Sequence, residues 1–67
     1  MQNTFTDDAG RSFVATVAGK TLTMYVPREP DCHVMLKIPP AHKSKLGHAI
    51  KRNDFHEFAR IADLVEG

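Results

Sequence analysis

An internal disulfide is excluded at the outset, because Cys32 is the only cysteine in the chain. A single thiol argues for a reducing compartment, so a cytoplasmic location is expected, and against a stapled secreted scaffold. No apolar stretch is long enough to span a bilayer. The opening residues, Met1 to Asp8, lack the basic start and apolar stretch of a signal peptide. Low-complexity tracts and internal repeats are missing as well. What remains is 67 residues, 42% hydrophobic and 25% charged, which read as one globular domain over residues 1–67. A core of this size rarely supplies more than roughly 3–5 kcal/mol net, so burial against a second subunit is expected to help.

The net charge of +1 conceals a segregation. Residues 1–31 carry three basic and four acidic groups, whereas residues 32–52 carry Lys37, Lys43, Lys45, Lys51 and Arg52 with no acid at all. Residues 53–67 then set Arg60 against Asp54, Glu57, Asp63 and Glu66. The middle of the chain is basic and its end acidic.

The strongest local signal is the pair of alternating runs from Ser12 to Val26 around Gly19-Lys20. Glycine at the first central position suits a type II′ hairpin. With Gly19 and Lys20 as the loop, Val17 faces Leu22, Ala15 faces Met24 and Phe13 faces Val26 on one side, while Thr16 meets Thr23 and Val14 meets Tyr25 on the other. A slip of one residue would set apolar against polar throughout. Upstream, Asp7 to Arg11 reads as a three-residue loop with Gly10 left-handed, which pairs Phe5 with Phe13. Strands are thus expected at about 2–6, 11–18 and 21–27. Pro27 to Asp31 reads as a loop because its two prolines remove ladder donors. A further strand at about 33–38 is expected to aim Val34, Leu36 and Ile38 at the core and His33, Met35 and Lys37 away from it.

Pro39-Pro40 ends that strand, and helical spacing follows over about 41–51, placing Leu46, Ala49 and Ile50 on one side and Lys45, His48 and Arg52 on another. Gly47 weakens this helix by about 1 kcal/mol relative to alanine. Asp54 with Glu57 resembles a capping box for a second helix at about 54–66, whose apolar face is Phe55, Phe58, Ile61, Ala62 and Val65. The fold class expected is α+β: a three- or four-stranded antiparallel β-meander followed by two short helices packed on one face, in two layers. Its core is Phe5, Phe13, Val17, Leu22, Met24, Leu36, Ile38, Leu46, Ile50, Phe55, Phe58 and Ile61.

Two helices cannot cover both faces of such a sheet, so Val14, Tyr25 and Met35 are expected among threonines on an open outer face. That face, or an exposed edge strand, is the first candidate for binding another protein. The plain alternative is an ordinary cross-strand pair of Val14 with Tyr25 that stiffens the hairpin. The second candidate is the basic helix, where Lys43, Lys45, His48, Lys51 and Arg52 could neutralise phosphates of nucleic acid or meet an acidic protein; a solvated helix face is the plain reading. One tyrosine among threonines falls short of an RNA-stacking sheet.

Metal ligation is not expected. Cys32, His33, His42, His48 and His56 are capable ligands, but none forms an i,i+4 histidine pair or a Cys-x-x-Cys. No cofactor and no catalytic residues are expected either, because no nucleophile, base and orienting group converge in a pattern that chemistry would need. The expectation is a non-catalytic, homodimeric protein-interaction module, a regulator or inhibitor that a phage or plasmid could encode. Its element order, a strand meander followed by two helices, is similar to that of some small anti-CRISPR proteins, a resemblance of architecture that no diagnostic residue carries. The alternative is a small nucleic-acid-binding regulator using the 43–52 helix.

Overall fold

The computed structural model describes residues 1–66. Four strands, β1 (Gln2–Thr6), β2 (Ser12–Ala18), β3 (Thr21–Val26) and β4 (Glu29–Lys37), precede two helices, α1 (Pro40–Arg52) and α2 (Phe55–Glu66). The strands form one antiparallel sheet in the order β1-β2-β3-β4, and each neighbour follows the last in sequence. This is the α+β meander with two following helices that the hydrophobic pattern demands.

The turns set the register. Among the described residues, Gly10 (φ 80°) and Gly19 (φ 61°) are the glycines in left-handed backbone. Lys20 is not left-handed, so a positive φ at Gly19 alone makes the β2-β3 loop type II′. Around it Ala18 pairs with Thr21, Val17 with Leu22 and Ala15 with Met24. At the first hairpin, Asp7 and Arg11 are joined through N–H and carbonyl, Asp7 Oδ1 accepts from Ala9 and Arg11 N–H, and Phe5 lies opposite Phe13.

The core is aromatic at one end and aliphatic at the other. Phe5 stacks on Phe58 (ring centroids 4.7 Å apart) and on Phe13 (5.7 Å), with Phe55 edge-on to Phe13 at 6.1 Å. Ala15, Leu22, Ile38, Leu46, Ala49, Ile50 and Ile61 complete the buried cluster, and Val17, Met24 and Leu36 pack partly buried against it. Helix α1 lies against β1 and α2 reaches β4, so the helices share the Phe5 face of the sheet.

Asn53 joins the two helices. It ends α1 in left-handed backbone (φ 55°), and its N–H donates to the Ala49 and Ile50 carbonyls. Asparagine tolerates that conformation better than most residues with a Cβ. One residue later, Asp54 Oδ1 accepts the Glu57 N–H at 3.2 Å and starts α2.

Three expectations need correction. The fourth strand begins at Glu29, because Pro27-Arg28 is a two-residue turn that pairs Val26 with Glu29. The extra residues Pro30 to Cys32 are absorbed as an irregularity in β4, and regular pairing resumes at Tyr25 with His33. A proline survives there because β4 is an edge strand. Val34 does not enter the core: it is 53% exposed. It faces the helix side opposite Met24, but no strand lies beyond it to close its far flank. Val14 is the converse. Expected on an open face, it is 7% exposed, because Thr4 and Tyr25 flank it from both neighbouring strands.

Candidate interaction surface on the sheet

Alternation places Thr4, Thr6, Val14, Thr16, Thr21, Thr23, Tyr25, His33, Met35 and Lys37 on the side of the sheet away from the helices. Most of this face is polar and braced within itself: Thr16 Oγ1 donates to Gln2 Oε1 at 3.1 Å, and Thr6 and Ser12 hydroxyls lie 3.4 Å apart. Of the three residues predicted to bind there, Val14 is buried, Tyr25 is half-buried, and Met35 is 60% exposed. Tyr25 and Met35 are brought together on β3 and β4, since Tyr25 faces His33 and Met35 faces Thr23. The open surface therefore narrows from the whole outer face to its β3-β4 side.

The helix side of the same two strands adds what the alternation pattern missed. Phe13, Met24, Tyr25, Val26, Cys32 and Val34 line a shallow, mostly apolar depression of about 350 Å³. Val26, like Val34 and Met35, is an exposed large hydrophobic residue. The signal available in the sequence was position alone. The last strand of a meander has a neighbour on one side only, so its helix-facing residues need not be covered.

The two edges of the sheet differ in their backbones. On either side of β1, Met1 exchanges N–H and carbonyl bonds with Val17, and Asp7 N–H donates to the Arg11 carbonyl, so odd-numbered residues face β2 and Gln2, Thr4 and Thr6 face outward. At the middle of that edge, Thr4 N–H donates to Asn3 Oδ1 (2.9 Å) and Thr4 carbonyl accepts from Asn53 Nδ2 (2.9 Å). Asn3 Nδ2 in turn donates to Ile50 carbonyl at 2.8 Å, tying α1 to the strand. In β4, Ile38 N–H donates to Lys20 carbonyl at 2.7 Å, so Leu36 and Val34 also face β3, and His33, Met35 and Lys37 turn their backbone groups outward. Among the described residues, no turn, cap or side-chain hydrogen bond reaches those outward groups.

The basic helix is less coherent than its sequence suggests. Lys45, His48 and Arg52 line one depression, but Asp54 and Glu57 line it with them. Glu57 is held below the usual carboxylate range by its hydrogen bonds to Arg60, and then by the charges of Arg60 and Lys45. Lys51 meets His48 and Arg52 in a second depression, whereas Lys43 lies with Met1, Val17 and Gly19 at the opposite end of the helix. The five residues do not form one stripe.

Among the described residues, no three His, Cys, Asp or Glu side chains gather in a metal-holding group, and no helix is long and apolar enough to cross a membrane. No family model, curated protein or solved structure matches this chain.

Proposed function

We propose that the protein is a small non-catalytic interaction module that regulates or inhibits another protein by binding it through the β3-β4 side of its sheet. One observation carries the reading. Val34 and Met35, adjacent in sequence on opposite faces of an edge strand, are both more than half exposed, beside backbone groups with no partner. Exposed apolar side chains next to free ladder donors and acceptors are what strand-mediated recognition uses. Tyr25 adds a half-buried ring whose hydroxyl end offers an amphipathic contact.

Affinity capture from the native host, followed by mass spectrometry, tests it. A protein recovered with the wild-type chain should be lost with Tyr25→Glu, and retained with a charge reversal at Lys45 or Arg52. Equal recovery with Tyr25→Glu would refute the reading.

The cluster of His48, Lys51 and Arg52 supports a second reading, a nucleic-acid-binding regulator. Gel-shift titrations at two salt concentrations separate the two. Retardation that weakens steeply with salt and falls in Lys51→Gln/Arg52→Gln favours nucleic acid, and no retardation at low salt removes it.

A further inference from the structure

Resting on the reading of β4 as the binding strand, we infer that its open edge is occupied by the same strand of a second copy, antiparallel, with a two-fold axis at Met35. The outward backbone groups belong to His33, Met35 and Lys37, and these residues lie in the regular part of the strand. Pro30 and the irregularity before His33 bound that stretch on one side, and Pro39-Pro40 bounds it on the other. The available segment is therefore His33-Val34-Met35-Leu36-Lys37.

That segment reads alike from both ends: polar, aliphatic, methionine, aliphatic, polar. A two-fold axis through Met35 pairs each aliphatic residue with an aliphatic one, Val34 against Leu36 of the other copy, and closes each hydrogen-bonded ring without a slip. The exposed flank of Val34 is then covered on the side where this chain supplies no strand, next to the apolar depression it lines. Charge selects the same direction. Glu29 and Asp31 outnumber Arg28 at the start of β4 and its turn, while Lys37 stands at its end. An antiparallel copy sets acidic start near basic end; a parallel copy would set like against like.

The edges also decide where assembly stops. Each chain has one continuous open edge, because the β1 ladder is interrupted at Thr4 by Asn3 and Asn53. An isologous contact on a single edge closes as a dimer with an eight-stranded sheet and leaves no template for a filament. The two outer faces become one surface, with Tyr25 of each copy near its middle.

Light scattering across a dilution series from about 1 mM to about 1 μM should show a mass of twice 7.5 kDa relaxing to 7.5 kDa. The decisive variant is Met35→Pro. Its lost N–H faces away from β3, so the fold should persist by circular dichroism while the doubled mass disappears. In a Cys32→Ser background, Met35→Cys should give a disulfide-linked dimer under mild oxidation. Opposed residues of a hydrogen-bonded antiparallel pair lie about 5.5 Å apart at Cα, inside the roughly 4.4–6.8 Å span of a disulfide. In that background His33→Cys should cross-link to Lys37→Cys and not to itself. A 7.5 kDa mass at every concentration, or a dimer that persists in folded Met35→Pro, overturns the inference. If Met35→Pro does not fold, the cross-links decide: none at Met35→Cys, or cross-linking at His33→Cys alone, overturns it. A monomer that still captures a partner through Tyr25 would defeat the dimer and leave the proposed function standing.

Discussion

The two outer strands of this sheet hold the same kind of position and are treated in opposite ways. On β1, the helix-facing Phe5 is fully buried beneath Phe58, and the outward backbone of Thr4 is taken by two asparagine side chains. On β4, the helix-facing Val34 is 53% exposed, and among the described residues no turn, cap or side-chain hydrogen bond reaches the outward backbone of Met35. An edge strand is thus a liability only where nothing else in the molecule reaches it. Here α1 and its terminating residue reach β1, and nothing comparable seals β4.

The widest separation between the edges should appear in their helix-facing side chains. Phe5→Ala removes a ring stacked on two others and should cost about 3–5 kcal/mol, enough to prevent folding in a domain this small. Val34→Ala, measured beside it by urea denaturation at about 1 μM, where the chain is monomeric, should stay within about 0.5 kcal/mol. Comparable losses at the two positions would mean that β4 is covered within the single chain.

Asn53 offers a way to make the closed edge resemble the open one. Asn53→Ala loses the hydrogen bond to Thr4 carbonyl and places a less tolerant residue at φ 55°, for a combined cost of about 1–2 kcal/mol in denaturant unfolding. With Thr4 uncapped, the variant should also form species larger than a dimer in light scattering. Asn53→Gly keeps the backbone and loses the bond, so it separates strain from edge protection.

The helix that seals β1 can be strengthened as well. Gly47 sits inside α1, where a Cβ would meet the Met1 Sδ at 3.4 Å, the movable end of a flexible side chain. Gly47→Ala should therefore raise stability by up to about 1 kcal/mol, read as a higher urea midpoint with unchanged slope. A fall would mean that Met1 cannot yield.

The smallest effect lies in the turn after β1. Asp7 is held below the ordinary carboxylate range, first by the Arg11 N–H, and further by the Arg11 guanidinium at 3.3 Å and the Ala9 N–H. A carboxyl lowered on folding contributes stability that is fully present above its unfolded pKa and is lost as pH falls through the folded one. Asp7→Asn should accordingly reduce the midpoint at neutral pH slightly and flatten its decline below the ordinary aspartate range, followed by thermal melts between pH 2 and pH 7. An unchanged acid limb would show that the turn is formed equally well without the charge.

Much of this architecture was legible from local pattern. Gly10 and Gly19 announced two loops of known length, and the alternation on either side admitted one register, so Phe5 opposite Phe13 and Val17 opposite Leu22 followed by counting. Pro39-Pro40 and the Asp54 cap bounded the helices for similar reasons, each being an effect of one or two residues. The binding side was less legible. Val14 and Val34 are the same residue type in similar alternating runs, yet Val14 is buried with strands on both sides and Val34 is exposed with a strand on one. Periodicity names the face on which a side chain lies and is silent about whether that face is covered.

By itself, then, the order of residues determined the pairing of the first three strands, the type of their two turns and the helix limits, because each depends on chemistry within a few positions along the chain. Only the assembled structure decided that Asn3 and Asn53, fifty positions apart, would close one edge while the other stayed open. Hydrogen bonds across such a distance depend on where α1 comes to rest against β1, and packing sets that.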